Sequence, residues 1–144
     1  YESVGRDPSR MPLGVQQYVF VTDDKAEALE MGERARFVAR IVTQMRTGDP
    51  KLDGPFIQAP PMPDEPPLET FRDNLVFGDA HLCAEKLIKE IKALGTTHLS
   101  VFTQIGSIDG KRARRSLERF AKEVVPLIEK ALGPIEQINV REAA

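Results

Sequence analysis

Ser100, Phe102 and Gln104, spaced two apart at the end of an apolar run, are the best-placed chemical groups in this sequence. The run Thr97 to Gln104 reads as a strand, and strand residues alternate between faces. Ser100, Phe102 and Gln104 therefore share one face, and Leu99, Val101 and Thr103 the other. The second set is the better wall against helices, which predicts that the first looks toward an enclosed space. Such groups suit contact with a ligand rather than covalent chemistry. No nucleophile–base pair, metal-ligand constellation or phosphate-cradling glycine loop occurs, and Gly106-Ser107-Ile108-Asp109-Gly110 matches no phosphate-loop spacing.

Positive charge is the other chemical feature. Lys111, Arg112, Arg114, Arg115 and Arg119 cluster at the start of a helix, where cations oppose the macrodipole and an anion would be welcome. A solvated face with ion pairs to Glu118 or Glu123 explains the cluster more simply. Arg36 and Arg40 lie on an earlier helix, with a surface position again the simpler expectation. Cys83 falls on an apolar helix face and reads as a small core residue.

The elements that must position these groups follow from periodicity. Residues 1–14 are rich in turn formers, and Gln16 to Thr22 is aromatic and β-branched, a strand. Thr22-Asp23-Asp24 supplies a helix cap, with Glu27 at capping-box distance from Asp24. Met31, Ala35, Val38, Ile41 or Val42, and Met45 predict an amphipathic helix over 25–46. Residues 47–73 hold seven prolines and little periodicity, as a lid or a linker would. Asp79 can cap a helix whose core face is Cys83, Leu87, Ile91 and Leu94, with Gly95 as its left-handed cap. A last helix over 110–132 is expected to bury Leu117, Phe120, Val124, Ile128 and Ala131, with Pro126 kinking it or starting a new turn.

Alternating strands and helices define an α/β chain with parallel strands, expected as one domain over 1–144. Two clear strands are too few for a sheet of their own, so partner strands or self-assembly are expected. Of the 144 residues 41% are hydrophobic, enough for one core. Charge is balanced, 20 Lys+Arg against 22 Asp+Glu, which argues against nucleic-acid or membrane-surface partners. A lone cysteine suits a reducing, cytoplasmic setting, and no apolar run reaches the roughly 18 residues of a membrane span. The opening Tyr1-Glu2-Ser3-Val4-Gly5-Arg6 lacks both an initiator Met and a signal-peptide layout, as a processed chain or fragment would.

Several segments, taken in order, resemble the C-terminal part of bacterial luciferase-like, flavin-dependent monooxygenases. They are Tyr18-Val19-Phe20-Val21-Thr22 with Ala26 and Ala28, then Phe77-Gly78-Asp79 through Leu87. Leu94-Gly95-Thr96-Thr97-His98-Leu99 and Arg115-Ser116-Leu117-Glu118-Arg119-Phe120 with Glu123-Val124-Val125-Pro126 complete the set. The resemblance implies a (β/α)8 TIM barrel of which the chain holds about two strands with their helices. A closed barrel needs roughly 250 residues, so the larger part would lie elsewhere. Local pattern makes Leu75–Phe77 a strand, whereas the resemblance makes it a lead-in to the helix; the second is adopted.

The resemblance further implies reduced flavin, either FMN or a deazaflavin, and an oxidoreductase that uses dioxygen on a small organic substrate. The cofactor supplies the chemistry, and the protein orients it and excludes water. Residues 47–73 would be the lid. Functional groups of barrels gather at the carboxyl ends of strands, which favours Gln104, with Phe102, Ser100, Gly106, Arg36 and Arg40 as further contact candidates. His98 opens its strand at the wrong end, and His81 in a first helical turn reads as surface. Two readings stay open: an enzyme piece inactive without its N-terminal half, or a non-catalytic truncated relative that binds another copy or a partner.

Overall fold

The computed structural model describes residues 2–5, 7, 11–48 and 50–139. A short 3₁₀ turn at Glu2–Val4 precedes β1 (Gly14–Val21) and the long helix α1 (Lys25–Thr47). The proline-rich segment follows, with a two-strand hairpin, β2 (Leu52–Asp53) and β3 (Phe56–Ile57), and the short helix α2 (Leu68–Asp73). Then come β4 (Val76–Gly78), α3 (Ala80–Leu94), β5 (His98–Phe102) and α4 (Gly110–Arg119). A π-helical turn, Phe120–Val124, leads into α5 (Val125–Leu132), and a 3₁₀ turn at Ile135–Gln137 ends the described chain.

Three parallel strands form the main sheet in the order β4-β1-β5. Val76–Gly78 is thus a strand, paired to Val19–Val21. The local pattern at 75–77 is correct within one residue, and the expectation of two strands is corrected to three. The reason is physical: Val76 and Phe77 are both buried and face opposite sides of the sheet, a demand only extended backbone meets. The sheet is open, and the chain's first strand lies at its centre. A sector of a barrel would set β1, β4 and β5 side by side in chain order; here β1 separates the other two.

Both faces carry helices, but unequally. On one face Val19, Val21, Val76, Leu99 and Val101 meet Cys83, Leu87 and Ile91 of α3, together with Val124 and Ile128 beyond α4. On the other, Phe20 and Phe77 meet Met31 and Ala35 of α1, with Ile105, Ile108 and Ala113 closing the side. The ring centroids of Phe20 and Phe77 are 6.5 Å apart in an edge-to-face pair. α1 covers β4 and the end of β1 and leaves β5 bare. His98, Ser100 and Phe102 are exposed on that side, next to exposed Gln16.

Helix faces depart from expectation where the sheet ends. Leu94, Leu117 and Ala131 are exposed, while Ala113 and Ser116 are buried in their helix. α1 buries Ala28, Met31, Gly32 and Ala35 only, and its second half presents Phe37, Val42 and Met45 outward. Gly32 is needed because α2 crosses there: a Cβ would stand 2.9 Å from Cβ of Arg72. Pro126 neither kinks the last helix nor stops it. The π turn just before it widens the hydrogen-bond ladder, which accommodates a residue with no N–H to donate.

Candidate functional site

The carboxyl ends of β1 and β4 lie together, with Thr22 N–H donating to the Gly78 carbonyl at 2.8 Å. Each strand is followed by a helix with an aspartate at its start. Asp24 accepts from the N–H groups of Ala26 and Glu27 at 2.8 and 3.3 Å, and Asp79 from Leu82 N–H at 2.9 Å. Gly78 has φ 144, and a Cβ there would meet Leu82 Cδ2 at 2.8 Å. The glycine-then-aspartate pair thus makes the sharp strand-to-helix exit. α4 lies across this end of β1, and the buried Ser116 Oγ accepts from Val21 N–H at 2.9 Å.

An open depression of about 620 Å³ sits here, between the start of α1 and α4. Its charges are matched. Arg112 donates to Glu27 at 3.0 Å and to both oxygens of Glu30 at 3.0 and 2.8 Å. Arg115 reaches Glu27 at 2.5 Å, and Arg119 holds Asp23 and Glu123. Hydrogen bonds from Arg112 and Arg34 hold the Glu30 carboxyl down to about 2. For Glu27 burial works to raise the pKa, but hydrogen bonds from Thr22, Arg115 and Arg112 outweigh it and leave the carboxyl below its ordinary value. Glu27 serves the interior of this network and does not reach back to close a capping box. Three arginines of the cluster are therefore structural ion-pair partners, and a phosphate arriving here would have to displace a carboxylate.

The expected contact residues divide into three places. Ser100 and Phe102 share the bare side of the sheet with Gln16 and Tyr18, their register partners. Tyr18 and Phe102 stand edge-to-face at 6.1 Å beside a hollow of about 170 Å³ that Gln16 and Gln17 also line. Gln104 is exposed two residues beyond β5. Gly106, in the left-handed region at φ 59, belongs to a turn stitched to α1, where Arg34 Nη1 donates to Ser107 Oγ at 2.9 Å. Arg36 and Arg40 are elsewhere. Arg40 grips Glu65 of the proline-rich segment with two bonds of 2.7 and 2.5 Å, and Arg36 pairs with Glu33. The structure brings Ser100 and Phe102 together and assigns both arginines to anchoring the 47–73 segment.

Glu65 is 8% exposed in its side chain, so this anchor is buried, and Arg40 lowers its pKa. Sequence reasoning gave Glu65 and Ser116 no role, because neither has a local signal; each acts through a partner 25 or 95 residues away. Gln16 and Tyr18 were readable as neighbours of Ser100 and Phe102 only once β1 and β5 were known to pair.

His98 Nδ1 is bonded to Thr97 Oγ1 at 2.9 Å, and His81 is exposed on α3. Cys83 is fully buried, with its Sγ 3.6 and 3.5 Å from the carbonyls of Val76 and Gly78. Burial pushes this thiol up to about 12. Alkylation of the native chain at pH 8 is expected to run at least about 100-fold slower than after unfolding, because only the thiolate reacts. Equal labelling rates by mass spectrometry would contradict the burial. Among the described residues no three His, Cys, Asp or Glu side chains are grouped to hold a metal ion. No helix among them is long and apolar enough to cross a membrane.

A flavin would find one wall here. The bare side of the sheet offers an aromatic pair with an amide and a hydroxyl beside it, and the ion-paired arginines provide no ready phosphate anchor.

No family model matches this chain. It is similar to the uncharacterized protein y4vJ of Sinorhizobium fredii, 27% identical over 136 residues. That similarity covers 93% of this chain and 38% of the relative, so the chain spans well under half the length of the protein it matches.

Proposed function

We propose that this chain is one part of a flavin-dependent, luciferase-like oxidoreductase, supplying one wall of a site completed by polypeptide outside these residues. A single observation carries the reading: β5 and the first half of β1 are bare on one side, with Gln16, Ser100 and Phe102 exposed there. Parallel sheets are covered on both faces in finished domains, so this side is built to be enclosed. The apolar second half of α1, with Phe37, Val42 and Met45 outward, is a second surface awaiting cover. Flavin, FMN or a deazaflavin, would supply the redox chemistry. This chain's part would be to flank the ring with Tyr18 and Phe102, orient it through Gln16 and Ser100, and exclude water with the 47–73 segment closing as a lid hinged near the Arg40–Glu65 anchor.

The finer fold proposal is a sector of a (β/α)8 barrel in the longer protein. It requires β4 and β5 to become neighbours, in place of the order seen here. A disulfide between Gln16→Cys and Ser100→Cys, which closes in the present sheet, would fail to close in barrel order.

The flavin reading is tested by anaerobic titration with reduced FMN and reduced deazaflavin. The 144-residue chain is expected to show no saturable binding. A polypeptide carrying this sequence together with its preceding strands is expected to bind one of the two, about 10-fold or more weaker after Phe102→Ala. Saturable binding by the short chain, or none by the longer one, overturns the proposal.

The second reading is a non-catalytic module that pairs with another copy through the free edges of β4 and β5. Concentration-dependent dimers in sedimentation, with no flavin bound by either polypeptide, would favour it.

A further inference from the structure

A cavity of about 170 Å³ lies on the amino-terminal side of β5, away from the carboxyl-end crevice. Ile91 of α3, Phe120 of the π turn, Ile128 of α5, and Ile135 and Ile138 of the last turn line it. Its wall is apolar but for the three residues that lead into β5. Two of those are already satisfied: Thr97 Oγ1 donates to the Leu13 carbonyl at 3.0 Å, and His98 Nδ1 bonds Thr97. The third is not. Thr96 is 4% exposed, and its Oγ1 has no hydrogen-bond partner among the described residues, although its carbonyl accepts from Asn139 Nδ2 at 2.9 Å.

An unpaired buried hydroxyl is unfavourable by about 1–3 kcal/mol, and a threonine in that position is worth keeping only if something meets it. A water is a poor occupant, because it needs at least two polar partners and this cavity offers one. A hole of this size suits an organic molecule: an engineered apolar cavity of about 150 Å³ takes up benzene.

We propose that this cavity binds a small, mostly apolar molecule of about six to eight non-hydrogen atoms bearing one hydroxyl or carbonyl oxygen, with that oxygen on Thr96 Oγ1. The isoleucines and Phe120 hold the apolar body, and Thr96 selects for the single oxygen. The site is independent of the flavin reading, since it lies at the other end of the strand.

Phenol and benzene, matched in size and different in one oxygen, are the probes. With the isoleucine methyls of the 144-residue chain labelled, titration with phenol is expected to shift Ile91, Ile128, Ile135 and Ile138 saturably. Benzene is expected to bind about 5-fold or more weakly, the worth of one hydrogen bond. Thr96→Val should erase that preference without loss of fold, since it removes only the unpaired hydroxyl; its thermal melt reports folding independently. Ile128→Phe, which fills the hole, should abolish both shifts. Unsaturable shifts, equal affinity for the two probes in the unaltered chain, or a phenol preference that survives Thr96→Val would each overturn the proposal.

Discussion

Replacing Phe20 by Ala is expected to destabilise the chain by about 3–5 kcal/mol, the usual loss when a fully buried aromatic is truncated in a core. That is a large share of the roughly 5–15 kcal/mol that holds a domain of this kind folded. Phe20 is the residue through which β1 grips α1, and it packs edge-to-face on Phe77 of β4. Phe77→Ala should cost a similar amount, and the double variant less than the sum by about 0.5–1.5 kcal/mol of ring–ring coupling. Urea unfolding followed by circular dichroism measures all three. Strictly additive losses would mean that the rings do not touch and that β4 is not paired beside β1 as described.

The second large effect concerns the network at the start of α1. Arg112→Met is expected to cost about 1–2 kcal/mol, since it strips a cation from Glu27, 13% exposed, while leaving the half-exposed Glu30 with Arg34. The pH dependence has a definite sign. Both carboxyl groups are held below their ordinary value in the folded chain, Glu30 near 2, so their contribution is fully present above about pH 4.5. It is lost as pH falls from there toward 2, because protonation then favours the unfolded chain. Thermal melts between pH 7 and pH 2 should show this fall in the parent chain and a shallower one in Arg112→Met. A variant whose acid limb matches the parent's would show that Arg112 does not set the titration.

Much of this fold was legible because its signals are local. The aspartate caps at Asp24 and Asp79, the left-handed Gly95, the alternation through β5 and the burial of Cys83 all follow from neighbours a few residues apart. What escaped depends on distant pairing. The strand at Val76–Gly78 is three residues long and becomes a strand only by lying against Val19–Val21. The placement of β1 between β4 and β5 has no signature in either segment. Leu117 was expected inside from its spacing, yet Ser116 takes the buried place, since a strand N–H needed an acceptor there. The candidate site divides the same way: Ser100 and Phe102 share a face as alternation requires. Arg36 and Arg40 were drawn away by Glu65, across a segment whose course no periodicity reveals.

The π turn between α4 and α5 has a consequence for how this chain tolerates change in length. A π turn is an α-helix with one residue too many, and each α-helical residue turns the chain by about 100°. Excising exposed Lys122 would restore a regular ladder locally and swing everything after it by that angle. Ile128 would leave the core formed with α3, and the turn carrying Ile135 and Ile138 would go with it. The surplus residue acts as a phase adjuster: it lets one helix present Ser116 to the end of a strand and Ile128 to the side of a sheet. Deletions in Phe120–Val124 should therefore be far more damaging than substitutions at the same exposed positions.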